Sequence, residues 1–334
     1  MIIQLHNNIT EKDRNALNKI LSDNKIKFSE ISTQFKKYII GILSNEIDIR
    51  LIGNIEGVKD VHRVTDPYKL VSRKWKVNPT VIELGDGVTI GGNGFTLIAG
   101  PCSIESEYQV QKSVEQLKKN NVKIMRGGVF KPRSSPYAFR GLGIEGLKML
   151  HSVCKANGIK IITEVMQVSQ IEEMIDYVDV FQVGARNTQN FNLLDALGKV
   201  DMPVMLKRGI SGTIDELLQS AEYVFFAGNE KLILCERGMR TYEKAYRNTF
   251  DINAIPILKE KSHLPVIADP SHGIGIRKHV EKITLAAMVA GADGAMIEMH
   301  HEPEIAFSDG QQSLNFEEFD KLVNRLMVLE EGLK

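Results

Sequence analysis

Eight apolar, β-branched runs follow one another between residues 95 and 300, and they constrain the fold more than any other feature of the chain. They are FTLIAGPC, VKIMRGGVFK, IKIITEV, VFQVGARN, PVMLKRG, KLILCERG, PVIADPSH and DGAMIEMH. Most are followed by helical periodicity, as in VQKSVEQLKKNN, GIEGLKMLHSVCKANG and TIDELLQSAEYVFFAGN, where apolar residues recur three and four apart. Eight strand–helix repeats in about 250 residues predict an α/β fold of the (β/α)8 TIM-barrel type. TVIELGDGVTIGG, just before the first run, places Gly85-Asp86-Gly87 between two short apolar stretches. It reads as a hairpin, expected to plug the bottom of the barrel.

The first 66 residues follow a different pattern. MIIQL is a short strand, and TEKDRNALNKILSDN has Thr10 as N-cap with Leu17, Ile20 and Leu21 at helical spacing. KFSEIST and KKYIIGIL read as strands, EIDIRLIGN as a short helix and VKDVHRV as a last strand. The order β-α-β-β-α-β predicts a small ferredoxin-like α+β domain over 1–66. DPYKLVSRKWKVNP, with prolines near both ends, is expected to be a linker over 67–79, leaving 80–334 for the barrel. Trp75 in this segment is expected to pack against one of the domains. A chain of 334 residues is comfortable as two such units.

Hydrophobic residues make up 43% of the chain and charged residues 25%, with a formal net charge of zero. That balance argues against a nucleic-acid binder. No apolar run is long enough for a bilayer, and the N-terminus lacks a secretory pattern, so no membrane partner is expected. Cys102, Cys154 and Cys235 make no disulfide framework, and the cytoplasm is the expected compartment. Cys154 and Cys235 fall inside a helical and a strand pattern and are assigned to packing. His151, His263, His279 and His301 are read as surface or structural, and His6 and His62 belong to the N-terminal domain.

The strand ends carry the chemistry, because in such barrels the active site lies at the C-terminal ends of the strands. They offer Cys102, Arg126, Lys131, Glu164, Arg186, Lys207, Arg208, Glu236, Arg237, Asp269, His272, Glu298 and His300, with Asp309 in the loop just after. Arg126, Lys131, Arg133, Arg186, Lys207 and Arg237 would converge on one mouth of a neutral protein, which suits substrates with several negative charges. VFKPRSSPYAFRGLG, the Gly/Pro-rich loop after the second run, is then an anion cradle. Cys102, His272, Glu298 and Asp309 form a second set, whose thiolate, imidazole and carboxylates suit a divalent transition metal.

AGPCSIES, MRGGVFKPRSSPYAFRGLG, QVGARN, LKRG, LCERGMRTYE, DPSHGIG and SDGQQSL together resemble the 3-deoxy-D-arabino-heptulosonate-7-phosphate (DAHP) synthase family. The similarity is to the bacterial subtype with an N-terminal ferredoxin-like regulatory domain. The resemblance implies a transferase that condenses phosphoenolpyruvate (PEP) with erythrose 4-phosphate and water to give DAHP and phosphate, the first step of the shikimate pathway. It implies metal ligation by Cys102, His272, Glu298 and Asp309, with Mn²⁺ or another divalent ion as cofactor. Arg126 and Lys131 match groups at the PEP carboxylate and reacting centre, with Lys131 the proton donor aided by His272. Arg186, Lys207 and Arg237 match the PEP phosphate site. Arg133, Ser134 and Arg277 match the site for the phosphate of erythrose 4-phosphate. Ser134 stands where many relatives have Thr, Ile276 where a basic residue is frequent, and His301 where Pro is frequent. The resemblance further implies a homo-oligomer, favouring a tetramer, with tyrosine or phenylalanine as effector.

Three other readings are weighed. 3-Deoxy-D-manno-octulosonate-8-phosphate synthase shares the barrel and PEP but carries a loop resembling KANRSS, whereas this chain has KPRSS with Pro132. A Schiff-base aldolase would use Lys207 or Lys131 as nucleophile. A non-catalytic amino-acid sensor would make the N-terminal domain the working part.

Overall fold

The computed structural model describes residues 1–42, 47–132 and 135–333. The N-terminal part runs β1 (Ile2–Leu5), α1 (Glu11–Asp23), β2 (Lys27–Ser32), β3 (Lys37–Ile42), α2 (Arg50–Gly53) and β4 (Val58–His62). The strands form one antiparallel sheet in the order β2-β3-β1-β4, the ferredoxin-like arrangement. Thr10 caps α1 as expected, its hydroxyl accepting from the Asp13 N–H at 3.1 Å. Strand alternation gives the sheet two apolar faces. Ile3, Leu5 and Ile39 meet Leu17, Leu21 and Ile52 of the helices, while Ile2, Tyr38 and Ile40 face the other way, toward the barrel.

The hairpin is β5 (Ile82–Glu83) with β6 (Thr89–Ile90). The barrel strands are β7 (Thr96–Gly100), β8 (Ile124–Arg126), β9 (Lys160–Glu164), β10 (Val180–Val183), β11 (Val204–Lys207), β12 (Leu232–Glu236), β13 (Val266–Ala268) and β14 (Gly294–Glu298). All pair in parallel, and β14 closes on β7, so the eight runs form the expected closed barrel. The helices are α3 (Glu107–Lys119), α4 (Gly143–Ala156), α5 (Ser169–Met174), α6 (Phe191–Leu197), α7 (Ile214–Phe226), α8 (Ala254–Lys261), α9 (Pro270–Ile274), α10 (Arg277–Val289) and α11 (Phe316–Leu333). In α7, Thr213 and Glu216 make a reciprocal capping box, and Leu217, Leu218, Ala221, Val224 and Phe225 form its buried stripe.

Alternate strand residues face the barrel interior. Ile98, Ile124, Ile162, Val180, Met205, Ile233, Cys235, Ile267 and Met296 form one apolar cluster, and Ile82, Leu84 and Ile90 of the hairpin join it. The hairpin therefore plugs the bottom of the barrel, as expected. The intervening residues pack outward under the helices.

The segment over 67–79 is not a loose tether. The carboxylate of Glu222 on α7 accepts the backbone N–H groups of Lys69, Leu70 and Val71 at 2.8, 2.9 and 3.1 Å. Trp75 is buried, donates its indole N–H to the Leu70 carbonyl at 2.8 Å, and meets Tyr38 and His263 edge-on. Thr33 and Gln34 bond Glu230 and Asn229, just ahead of β12. The sheet thus sits on the outer wall at the N-terminal end of the barrel strands, away from the mouth. Among the described residues, no helix is long and apolar enough to cross a membrane.

Candidate active site

Two residues past the apolar layer, the same inward positions turn polar. Ile124 is followed by Arg126, Ile162 by Glu164, Val180 by Gln182, Met205 by Lys207, Cys235 by Arg237, Ile267 by Asp269 and Met296 by Glu298. Period-two geometry thus delivers seven polar or charged side chains to one level at the C-terminal end of the barrel. Arg208 and Glu236, one step out of phase, point outward instead. They pair with each other at 2.9 Å, and Arg208 also binds Asp251 at 2.9 Å. This network braces the wall, and burial raises the Glu236 carboxyl against the pull of Arg208.

At the mouth lies a cleft of about 180 Å³. Arg126, Lys131, Arg186, Lys207 and Arg237 all line it, together with Pro132, His272 and Asp309. Arg240, Arg247 and Asn248 also reach it from the loop after β12, a contribution absent from the expected set. Lys207 is held by Asp269 at 2.5 Å, and burial lowers the Arg237 guanidinium. Gly184 borders this cleft beside Glu164: a Cβ there would come 2.1 Å from Glu164 Oε1, so a larger residue would have to push that carboxylate aside. The loop carrying Lys131 folds back on itself, with Lys131 N–H on the Arg140 carbonyl at 2.9 Å. Gly141 turns it at φ +95°, where a Cβ would meet the Val129 carbonyl at 2.0 Å.

The second set gathers beside the cleft. Ligand atoms of Cys102, Glu298 and Asp309 lie within 4.8 Å of one another. Cys102 Sγ is 3.3 Å from Asp309 Oδ2, and His272 Nε2 is 3.4 Å from Glu298 Oε1 and 4.0 Å from Asp309 Oδ2. Asp269 grips the other ring nitrogen of His272 at 2.8 Å, which leaves Nε2 turned toward the carboxylates. Asp309 itself sits in the left-handed region at φ 54°, a conformation Asp tolerates better than most residues. Burial, then Glu298, pushes the Cys102 thiol up to about 11. Burial would also raise Asp309, but Arg247 and His272 outweigh it and hold it at about 2. Burial lowers His272 despite Asp269. A soft sulfur, a ring nitrogen pre-oriented by a carboxylate, and two further carboxylates fit a divalent transition metal.

Not every expected residue arrives. Arg277 does not line the cleft: it binds Glu304 at 2.8 Å and the Gly310 carbonyl at 3.0 Å. Arg133 and Ser134 lie outside the described residues. His300 is buried beside Glu105 at 3.6 Å and stacked on His301. Cys154 and Cys235 are buried in packing. Ser308 and Gln312, within SDGQQSL but given no role by the sequence, touch Cys102 at 3.1 Å and Glu298 at 2.6 Å. A roomier cavity of about 710 Å³ lies at the other end of the barrel, among Val88, Phe95, Leu97, Leu326 and Met327. Among the described residues, its one cation is Lys123. The chemistry therefore points to the smaller cleft.

A parallel barrel whose mouth joins a multi-cation cleft to a thiol–imidazole–carboxylate cluster belongs to the enzymes of anionic metabolites. Residues 76–331 match the DAHP synthetase I family, and the chain belongs to that family. It is 44% identical to the phospho-2-dehydro-3-deoxyheptonate aldolase of Thermotoga maritima, over 100% of this chain and 98% of that one. It is 34% identical to a 2-dehydro-3-deoxyphosphooctonate aldolase of Syntrophobacter fumaroxidans, over 72% of this chain and 89% of the other. The crystal structure of the Thermotoga maritima DAHP synthase superposes with a TM-score of 0.80 at 43% identity, covering 99% of this chain and 97% of that chain. A truncated form of 3-deoxy-D-arabino-heptulosonate 7-phosphate synthase from the same organism gives 0.75 at 45% identity, covering 80% and 97%.

Proposed function

We propose that this chain condenses PEP with erythrose 4-phosphate and water to give DAHP and phosphate, and that the cleft is where it does so. The observation carrying the reading is the convergence of Arg126, Lys131, Arg186, Lys207 and Arg237 on one small cleft that also contains His272 and Asp309. Lys207, Arg186 and Arg237 hold the PEP phosphate, and Arg126 its carboxylate. Arg133 and Ser134 are assigned to the second phosphate, and Arg277, turned to Glu304, is left out of that assignment. Holding two anions at once supplies the orientation that free solutes lack. A divalent metal held by Cys102, His272, Glu298 and Asp309 would supply Lewis-acid polarisation of the aldehyde. The PEP methylene carbon bonds to the aldehyde carbon, and Lys131 gives a proton to the new alkoxide. Water adds to the neighbouring carbon, and the carbon–oxygen bond to phosphate then breaks. Lys131 Nζ lies 3.2 Å from Cys102 Sγ, which places the proposed donor beside the cluster.

Pro132 lines the cleft and supports the four-carbon sugar phosphate over arabinose 5-phosphate. The decisive assay measures phosphate release from PEP with each sugar, with and without chelator. Release with erythrose 4-phosphate, lost on chelation, is expected. Preference for arabinose 5-phosphate overturns the reading.

Residues 1–66 are assigned a feedback role, binding tyrosine or phenylalanine in a cytoplasmic homo-oligomer, a tetramer by resemblance. As docked, the sheet leaves the mouth open, so an effector acts only by favouring a different arrangement. Deleting residues 1–66 is expected to leave an active barrel without inhibition. A full-length enzyme insensitive to the aromatic amino acids and to chorismate and prephenate excludes the feedback role.

A further inference from the structure

Glu298 and Asp309 each have two oxygens, and Gln312 and Arg247 between them hold one of each. Gln312, fully buried, donates from Nε2 to Glu298 Oε2 at 2.6 Å. Its Oε1 accepts from Arg247 Nη1 at 2.6 Å, and the same Arg247 nitrogen lies 3.2 Å from Asp309 Oδ1. The remaining oxygens face the cluster. Glu298 Oε1 lies 3.4 Å from His272 Nε2 and also accepts from Arg126 Nη1 at 2.9 Å, and Asp309 Oδ2 lies 3.3 Å from Cys102 Sγ. The chemistry of the neighbours leaves the Gln312 amide one orientation: an ionised carboxylate only accepts and a guanidinium only donates.

We infer that Gln312 and Arg247 form a clamp that ties off one oxygen of each carboxylate, so that Glu298 and Asp309 present single oxygens to a bound metal. Gln312 touches neither the cleft nor the thiol and imidazole, so it is a positioning residue. The backbone serves the same end: Gln312 N–H bonds the Asp309 carbonyl at 3.1 Å, fixing the short turn that carries Asp309 in its left-handed conformation. Without the Gln312 bond, Glu298 would be held only at Oε1, by Arg126, and could swing Oε2 in to bind through both oxygens, raising the coordination number and slackening the site.

This inference rests on the metal reading proposed above, and Co²⁺ binding separates the two. Co²⁺ is titrated into the metal-free full-length protein and followed by its thiolate charge-transfer band and its visible d–d bands. Wild type is expected to show the thiolate band, and Cys102→Ala to lack it. Gln312→Met keeps the length of the side chain but cannot donate. It is expected to bind Co²⁺ about 10–100-fold more weakly, the usual cost of losing a partner that orients a ligand. Its d–d bands should weaken toward those of a higher coordination number, a change that loosened packing alone would not produce. Thermal unfolding of the metal-free protein shows whether Gln312→Met is folded. If it is not, Arg247→Met, which lets the amide turn over, is judged by the same two readouts and the same expectations. Affinity within about twofold of wild type with unchanged d–d bands in the folded variant overturns the clamp. A wild type without the thiolate band overturns the metal reading, and the clamp with it.

Discussion

The two ends of this barrel are built from the same eight strands and the same inward-facing positions, yet they share almost no chemistry. At the bottom those positions are Ile, Val, Met and Cys, sealed by Ile82, Leu84 and Ile90 of the hairpin. Two residues further along they are Arg, Lys, Gln, Asp and Glu, at or beside the cleft. The apolar layer gains stability from burial, whereas the charged layer holds like charges together that only a ligand or a close counter-ion makes tolerable. One rise of two residues separates the part that makes the barrel from the part that makes it useful.

Substitutions at the two ends should therefore separate activity from stability. The largest effect is expected at the mouth, where Cys102→Ala removes the thiolate from the cluster. Activity should fall about 10³-fold or more, since Lewis-acid assistance contributes several kcal/mol, while the unfolding midpoint moves little. Full activity of exhaustively metal-free enzyme would erase the difference between the ends.

Ile90→Ala, at the bottom, should do the reverse. A fully buried Ile reduced to Ala costs about 2–5 kcal/mol, read by urea unfolding, with kcat unchanged. A matching loss of kcat would mean that the plug shapes the mouth. Arg186→Ala should raise KM for PEP about 10–100-fold, the value of one lost charge-assisted contact, and move KM for erythrose 4-phosphate much less. Equal rises in both would merge the two halves of the cleft.

His263 offers a pH test at the bottom. Its ring sits between the Thr80 hydroxyl at 2.8 Å and the Leu70 carbonyl at 2.9 Å. Burial, then Lys76, pushes it down to about 3. Because the folded value lies below the unfolded one, the unfolded state takes up the proton first as pH falls below about 6.5. Stability is thus lost between pH 6.5 and about 3, by about 1.4 kcal/mol per pH unit from this group. Urea unfolding at pH 7, 6 and 5 should show a shallower decline in His263→Gln than in wild type; parallel declines would mean that His263 charges in the fold. Smallest of all should be Arg277→Ala, with KM for erythrose 4-phosphate changing less than about threefold, since its partner Glu304 is a surface ion pair. A tenfold rise would bring Arg277 back into the site.

Much of this was legible in the chain because strands and helices leave periodic traces. The eight runs, the hairpin at Gly85-Asp86-Gly87 and the β-α-β-β-α-β order all depend on local spacing, and all reappear in the fold. Strand phase was the missed signal. Counting by twos from Ile233 through Cys235 reaches Arg237 and steps over Glu236, and from Met205 it reaches Lys207 and steps over Arg208. Arg240, Arg247 and Gln312 left no such trace, because loops and single-turn helices have no period to count. Arg277 looked suitable by its place after the DPSHGIG motif, but its side chain turns to Glu304. The docking of residues 67–79 was hidden too, since three backbone N–H groups on one carboxylate have no sequence signature.

Trp75 is the only tryptophan in the chain, and it lies in the seam between the N-terminal sheet and the barrel wall, 7% exposed. Its emission therefore reports on one joint of the molecule. Docked, the indole should emit at short wavelength, and peeling the sheet from α7 would wet it and shift the emission to the red. An aromatic amino acid that rearranges the domains could thus be followed optically, without any introduced label, before a single turnover is measured.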